Sequence, residues 1–459
     1  MALVREIYCR KIIDSKSHRE LHIKKDGETN MAVALVGGTV IDGNGGIPIV
    51  NGTVVVDGSK IVEVSQRREL GSEMPVFDVS GQTLMPGLID CHTHLDGFVQ
   101  WIIIHQSNSL MYEHARGIMN MRAHLETGCT SARDCGGLEV GLVQAQREGI
   151  IPGPRIQPSI MQISATNGTL DYMPGLGGAI SPQGQVISIP GVPLGWADGV
   201  DDCRKKVREM LRYGAEVIKI FNSPHPTARP ALDPWRTLFT DEELLAISDE
   251  AHKAGVQVTC HAYAPQAIKQ AIRCGVDCID HGIDMDDEVI EEMAAKGVWW
   301  VPTFLIQRWY ATVNRDISFR EMAKGIYERH RKNLPKAIRA GVRVAMGTDI
   351  GYLSAGAVPR ELQEMVEAGI SPMQAIEVST RRAAECLGWD KKVGTLEVGK
   401  EADLLVVDGD PLADISLLQR LEKLSLVMQA GKPVAGPMAA RFPWQNPGWP
   451  RPDLFAAPA

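Results

Sequence analysis

The sequence predicts an α/β fold: a (β/α)8 TIM-like barrel with a small β-sandwich domain built from both chain ends. Three observations lead there. Short apolar runs alternate with helical patterns through the middle of the chain, and β-branched runs joined at Asp-Gly pairs flank that middle on both sides. Histidines, a lysine and an aspartate stand at the carboxyl ends of the apolar runs, where barrel enzymes carry their chemistry.

The flanks come first. Ala34 to Gly43 and Thr53 to Val64 read as hairpin strands, and similar stretches return at Val393 to Leu396, Ala402 to Asp408 and Leu426 to Lys432. Two such flanks around one middle predict a single sandwich assembled from 31–81 and 391–437. The middle, 82–390, offers strands at 82–91, 130–134, 154–160, 216–221, 257–261, 278–281, 299–304 and 343–348. Helical patterns intervene at Asp202–Tyr213, Asp241–Ala254, Pro265–Arg273, Asp286–Lys296 and Phe319–Ala340. Eight strands are the number of a closed barrel, and roughly 250 residues suffice to build one. Residues 1–30 read as an N-terminal extension, and 438–459 as a Pro/aromatic arm. That arm carries Phe442, Trp444, Trp449 and Phe455 among five prolines, which exclude regular structure. It is expected to pack on a neighbour in a homo-oligomer and not to serve the chemistry; its composition equally allows a disordered tail.

Composition excludes several classes of function. Of 459 residues, 44% are hydrophobic and 23% charged, ordinary proportions for a globular protein. A net charge of −8 gives no electrostatic footprint for nucleic acid. No apolar stretch approaches the ~20 residues needed to span a bilayer, and the N-terminus lacks the apolar core of a signal peptide. Nine cysteines without finger-like spacing predict free thiols in a reducing cytoplasm.

Six residues read as one metal site: His92, His94, Lys219, His261, His281 and Asp349. His92 and His94 close an apolar strand, where side chains at i and i+2 point the same way. Lys219 stands inside Glu216-Val217-Ile218-Lys219-Ile220-Phe221, where a bare ammonium is costly to bury unless Glu216 or Asp280 pairs with it. A lone His-x-His or a lone buried lysine carries little weight; six in order, each at a strand end, carry the reading. His105, His114, His124, His252 and His330 fall in helical stretches and read as structural.

Four neutral imidazoles and one carboxylate suit two borderline divalent ions such as Zn, Co, Mn or Fe, with no cysteine among them. A protonated lysine is no ligand, but CO2 added to its amine gives an N6-carboxylysine able to bridge two metals. Metals roughly 3.5–4 Å apart share a water that ionises near neutrality, a bridging hydroxide for attack on a carbonyl. Asp349 would ligate one metal and carry the proton from nucleophile to leaving group.

Pro86-Gly87-Leu88-Ile89-Asp90-Cys91-His92-Thr93-His94 and Gly399-Lys400-Glu401-Ala402-Asp403-Leu404-Leu405-Val406 resemble motifs of the amidohydrolase superfamily, over nearly all of 32–437. The resemblance implies a binuclear hydrolase with a carboxylated Lys219. Ala132-Arg133-Asp134, His261-Ala262-Tyr263 and Asp280-His281-Gly282 are similar to the branch of prolidase-like dipeptidases and ochratoxinase, with molinate and phenylurea hydrolases as further relatives. Dipeptidase relatives have a Gly-Gly-His element after the third strand, whereas this chain has Ser164 to Asp171, with Thr169 in the histidine's place. Phenylurea hydrolases have Asn for the first histidine, whereas His92 is intact. The resemblance therefore tilts toward a small uncharged amide-like substrate: a carbamate, a thiocarbamate such as molinate, or a urea. An Xaa-dipeptidase or N-acyl amino acid hydrolase is the alternative, with Arg133 a possible replacement cation. The apolar, Gly- and Pro-rich stretch from Ala165 to Gly199 reads as a substrate loop. Tyr263 is expected to contact substrate and polarise the scissile carbonyl, or else only to pack against that loop. A non-catalytic scaffold would have lost some of the six residues, and a mononuclear deaminase would lack the lysine.

Overall fold

The computed structural model describes residues 32–66, 74–95, 110–169, 193–224, 235–312, 317–351 and 357–442. The N-terminal extension, most of the Ala165–Gly199 loop and the arm beyond Phe442 lie outside them.

The N-terminal flank forms β1 (Val33–Val40), β2 (Ile49–Asp57), β3 (Lys60–Gln66), β4 (Val76–Asp78) and β5 (Thr83–Pro86). The middle alternates in register with the expectation: β6 (Leu88–Thr93), α1 (Leu110–Glu126), β7 (Cys129–Asp134), α2 (Val140–Arg147), β8 (Arg155–Pro158), α3 (Val200–Arg212), β9 (Val217–Phe221), α4 (Asp241–Lys253), β10 (Gln257–Ala262), α5 (Pro265–Arg273), β11 (Cys278–His281), α6 (Asp287–Lys296), β12 (Trp299–Val301), α7 (Phe304–Thr312), α8 (Ile317–Ala340) and β13 (Arg343–Val344). Helices α9 (Val358–Glu367), α10 (Pro372–Val378) and α11 (Arg381–Leu387) precede the returning strands β14 (Leu404–Val407), β15 (Leu424–Gln429) and β16 (Lys432–Ala435).

Local chemistry explains the boundaries. Thr240 and Glu243 form a reciprocal capping box at the start of α4. Pro265 opens α5, where its missing N–H costs nothing. Asp286 caps α6, and Gly297 ends it in the left-handed conformation.

The described parts of the two flanks hydrogen-bond as one continuous eight-stranded sheet. Its order is β16-β15-β14-β5-β1-β2-β3, with β4 beside β1. The seam between the ends is the antiparallel pair β5–β14, running from Thr83↔Val407 to Pro86↔Leu404.

The expected strand 82–91 is two strands. β5 belongs to the large sheet and β6 to the parallel one, with the break at Gly87. There the backbone approaches β7 so closely that a Cβ would lie 2.3 Å from Thr130 Oγ1, and only glycine fits. The expected strand 299–304 ends early because Phe304 opens α7.

The central strands form two all-parallel sheets, β6-β7-β8 and β9-β10-β11-β12-β13. Parallel bridges link them at both margins, Ile163 with Ile220 and Thr93 with Ile350. Nearly every residue of these strands is buried. Such runs read as continuous apolar stretches, because parallel sheets are covered on both faces.

The arm begins differently from the expectation. Pro437–Arg441 forms a short 3-10 turn. Met438 and Phe442 join the core of the large sheet, with the Phe442 ring stacked 4.3 Å from Phe77. Phe442 therefore packs on its own chain, because the end of β16 delivers it directly over that sheet. Met438 does the same.

Candidate metal centre

All six residues singled out from the sequence converge. His92 and His94 leave the end of β6, Lys219 lies in β9, His261 in β10, His281 ends β11, and Asp349 follows β13. All are buried, with Asp349 and His94 the least so, at 6% and 8% exposed. The His92 ring lies 5.4 Å from His94 and 4.9 Å from His281, and His281 lies 4.6 Å from His261. Asp349 Oδ1 stands 3.4 Å from His92 Nε2 and 3.3 Å from His94 Nε2. Ligand atoms of His92, His94 and Asp349 all fall within 4.8 Å of one another. Gly347 permits this crowding, since a Cβ there would lie 2.8 Å from His92 Cβ.

Backbone and second-layer contacts fix the rings. His94 Nδ1 lies 2.8 Å from the Gly136 carbonyl, and His281 Nδ1 lies 2.7 Å from Thr303 Oγ1. In both, Nε2 is left for the shared point. Asp90 accepts from the His92 N–H and from the N–H and hydroxyl of Thr348, tying β6 to the segment that carries Asp349. Burial pushes its pKa up to about 7.

Sequence reasoning named Asp280 only as a possible partner for Lys219, and the structure gives it that place. Its Oδ2 is 2.5 Å from Lys219 Nζ and 2.8 Å from Thr259 Oγ1; its Oδ1 is 3.0 Å from His92 Nδ1. Glu216, the other candidate, pairs instead with Arg147 near the surface. Burial opposes the Lys219 charge, but the Asp280 carboxylate outweighs it and holds that pKa above the ordinary lysine value.

Cys135 is a second omission. Its thiol lies within 4.8 Å of ligand atoms on His92 and Asp280, so a cysteine does border the site. Its place directly after β7, a strand end like those that mark the other residues, was the available signal.

The residues suit a divalent ion. Burial holds the His281 pKa well below its ordinary value, so the imidazole keeps a free lone pair. Burial works against the Asp349 charge, yet the facing His92 and His94 hold its carboxyl well below the usual range. His92 Nδ1 and Asp280 Oδ1 are fully buried, and neither completes an aligned hydrogen bond. Imidazoles and carboxylates in this number match borderline divalent metals.

Other expectations change. Arg133 lies deep among β7, β8, β10 and α11, donating to Gln157, Gln257 and the Cys386 carbonyl. Gln257 opens β10 while His261 stands near its other end, so this guanidinium is committed away from the centre and is no replacement cation. Thr169 is buried and donates its hydroxyl to the Ser223 carbonyl. Tyr263 does face the centre, with its ring 4.4 Å from His261 and 5.4 Å from His281. Burial holds its phenol well above the ordinary tyrosine range. Of the histidines read as structural, His114 and His124 lie in α1, His252 in α4 and His330 in α8, while His105 is outside the described residues. The eight cysteines among the described residues are all buried and free of disulfides. No described helix is long and apolar enough to cross a membrane.

The amidohydrolase family matches residues 83–434. Ochratoxinase of Aspergillus niger is 30% identical over 441 residues, spanning 91% of this chain and 90% of that protein. Its crystal structure aligns with a TM-score of 0.81 over 89% of this chain and 97% of that one. A prolidase crystallised with N-methylphosphonate-L-proline is 31% identical, with a TM-score of 0.78 over 88% of this chain and 99% of that one. Molinate hydrolase, 23% identical with a TM-score of 0.72 over 92% of this chain and 98% of that one, shares the fold.

Proposed function

The chain belongs to the amidohydrolase family, and on that premise we propose that it is a binuclear metal-dependent hydrolase of small amide-like substrates. The observation that carries this is the burial of His92, His94, Lys219, His261, His281 and Asp349 around one point. Residues 82–390 are read as one closed barrel, a reading supported by the bridges at both margins of its two parallel sheets. Residues 31–81 and 391–437 are read as the second domain.

His92, His94, His261, His281 and Asp349 would hold two divalent ions, with Lys219 between them as its carbamate. Such ions, when bound, lower the pKa of coordinated water and polarise a carbonyl. Carboxylation of Lys219 replaces a buried cation by an anion and releases Asp280 to its Thr259 and His92 contacts. Asp349, ionised and the more exposed carboxylate of the site, would accept a proton and return it to the leaving group. Tyr263 would orient the substrate carbonyl from the adjoining wall, beside His261 and His281.

We read the substrate as neutral: a carbamate, thiocarbamate or urea. Thr169 spends its hydroxyl on the Ser223 carbonyl, and Arg133 is bound elsewhere. Without such a cation, a terminal carboxylate loses a charge-assisted bond worth about 1.5–3 kcal/mol, roughly ten- to a hundredfold in binding. The likeness to ochratoxinase and to a prolidase holding a proline phosphonate favours the second reading, an N-acyl amino acid or dipeptide hydrolase. Comparing kcat/KM for N-acyl amino acids and dipeptides against neutral thiocarbamates and ureas decides between them. Higher values for the carboxylate-bearing set select the second.

A further inference from the structure

We infer that Thr303 is a positioning residue for His281, held in place by Glu361; this rests on the reading of His281 as a metal ligand. Thr303 immediately precedes α7, where threonine ordinarily turns its hydroxyl onto the first free N–H groups of the helix. Here that hydroxyl faces the other way, 2.7 Å from His281 Nδ1. The helix start is capped instead by Glu361 of α9. Its two carboxylate oxygens accept from Phe304 N–H at 2.8 Å and Leu305 N–H at 2.7 Å.

The backbone shows the same commitment. Thr303 has φ +54°, a conformation that β-branched residues rarely adopt. His281 and Asp349, both facing the same point, have φ +66° and +56°. Unfavourable backbone of this kind persists where the surroundings over-determine it, and it gathers at functional sites. Thr303 and Glu361 are both fully buried, so the arrangement does not respond to solvent. Trp300 of β12 completes the grip, donating from Nε1 to the His281 carbonyl at 2.8 Å. Thr303 thereby fixes the ring through Nδ1, in either hydrogen-bonding sense, and turns Nε2 toward the centre.

The test measures metal affinity by chelator competition on metal-free protein reloaded with Co(II), together with the cobalt absorption spectrum. Thr303→Val and Thr303→Ala should weaken metal binding about ten- to a hundredfold and alter the spectrum. Thr303→Ser should restore both. Thermal unfolding of the metal-free variants should show each of them folded at the assay temperature, with Val less stable than Ser by the cost of an unpaired buried imidazole nitrogen. Glu361→Gln should weaken binding as well, and combined with Thr303→Val it should add little, because both act through one contact. His281→Ala separates the two readings. If it leaves metal affinity unchanged, the metal assignment itself is wrong. If it abolishes binding while Thr303→Val and Thr303→Ala both stay within twofold of wild type with an unaltered spectrum, the positioning role is overturned.

Discussion

Replacing Lys219 with methionine probes the pair beneath the centre. Lys219 and Asp280 are 1% and 0% exposed and 2.5 Å apart. Methionine keeps the apolar stem but leaves Asp280 with only Thr259 Oγ1 and His92 Nδ1 as partners. Breaking a buried ion pair by removing one member costs about 3–5 kcal/mol. The two surviving contacts put Lys219→Met at the lower end, about 3 kcal/mol, or roughly a hundredfold in the folding equilibrium. Lys219→Met/Asp280→Leu, which leaves no stranded charge, should cost less than the single change. Guanidinium unfolding of chelator-treated protein measures both. In the metal-supplemented protein, both Lys219→Met and Lys219→Ala should abolish activity, and only the truncated Lys219→Ala should recover partly on adding short carboxylic acids together with metal. A single-variant cost below about 1 kcal/mol, or wild-type turnover, refutes the account of this pair.

Asp349→Asn should leave the circular dichroism spectrum intact and lower kcat by roughly 10²–10⁴-fold; wild-type turnover removes the proton-transfer role. Phe442→Ala, which takes away a buried ring stacked on Phe77, should cost about 3 kcal/mol. Truncation before Arg441 should cost at least as much by urea unfolding, and a loss under 1 kcal/mol contradicts the packing. Burial lowers the His330 pKa from 6.5 to about 4, so its contribution is complete above the unfolded value and is lost as pH falls toward the folded one. At about 1.36 kcal/mol per pH unit, the stability advantage of wild type over His330→Gln should shrink by about 2 kcal/mol between pH 7.5 and pH 5. A pH-independent difference would sink this assignment.

The sequence made the converging residues legible because the signal is local: a strand parity for His92 and His94, a lysine inside an apolar run for Lys219, and an apolar run leading into a ligand for His261, His281 and Asp349. Helix boundaries were legible where capping chemistry marks them, as at Pro265. The break at Gly87 was not, since it depends on how closely β6 passes Thr130 of a neighbouring strand. Arg133 was misread because strand parity says nothing about depth. Ala132-Arg133-Asp134 lies beside residues that do reach the centre, yet Arg133 finds Gln157 and Gln257 below it. Glu361 was invisible, being separated from Phe304 by 57 positions and joined to it only by packing. Phe442 looked like surplus aromatic surface until β16 delivered it over Phe77.

The most direct measurement is a crystal structure of the fully metallated, active protein. The account predicts two metal ions about 3.5–4 Å apart, held by His92, His94, His261, His281 and Asp349 and bridged by a carboxylated Lys219 no longer paired with Asp280. An active, fully metallated protein with an unmodified Lys219 still bound to Asp280 would contradict it.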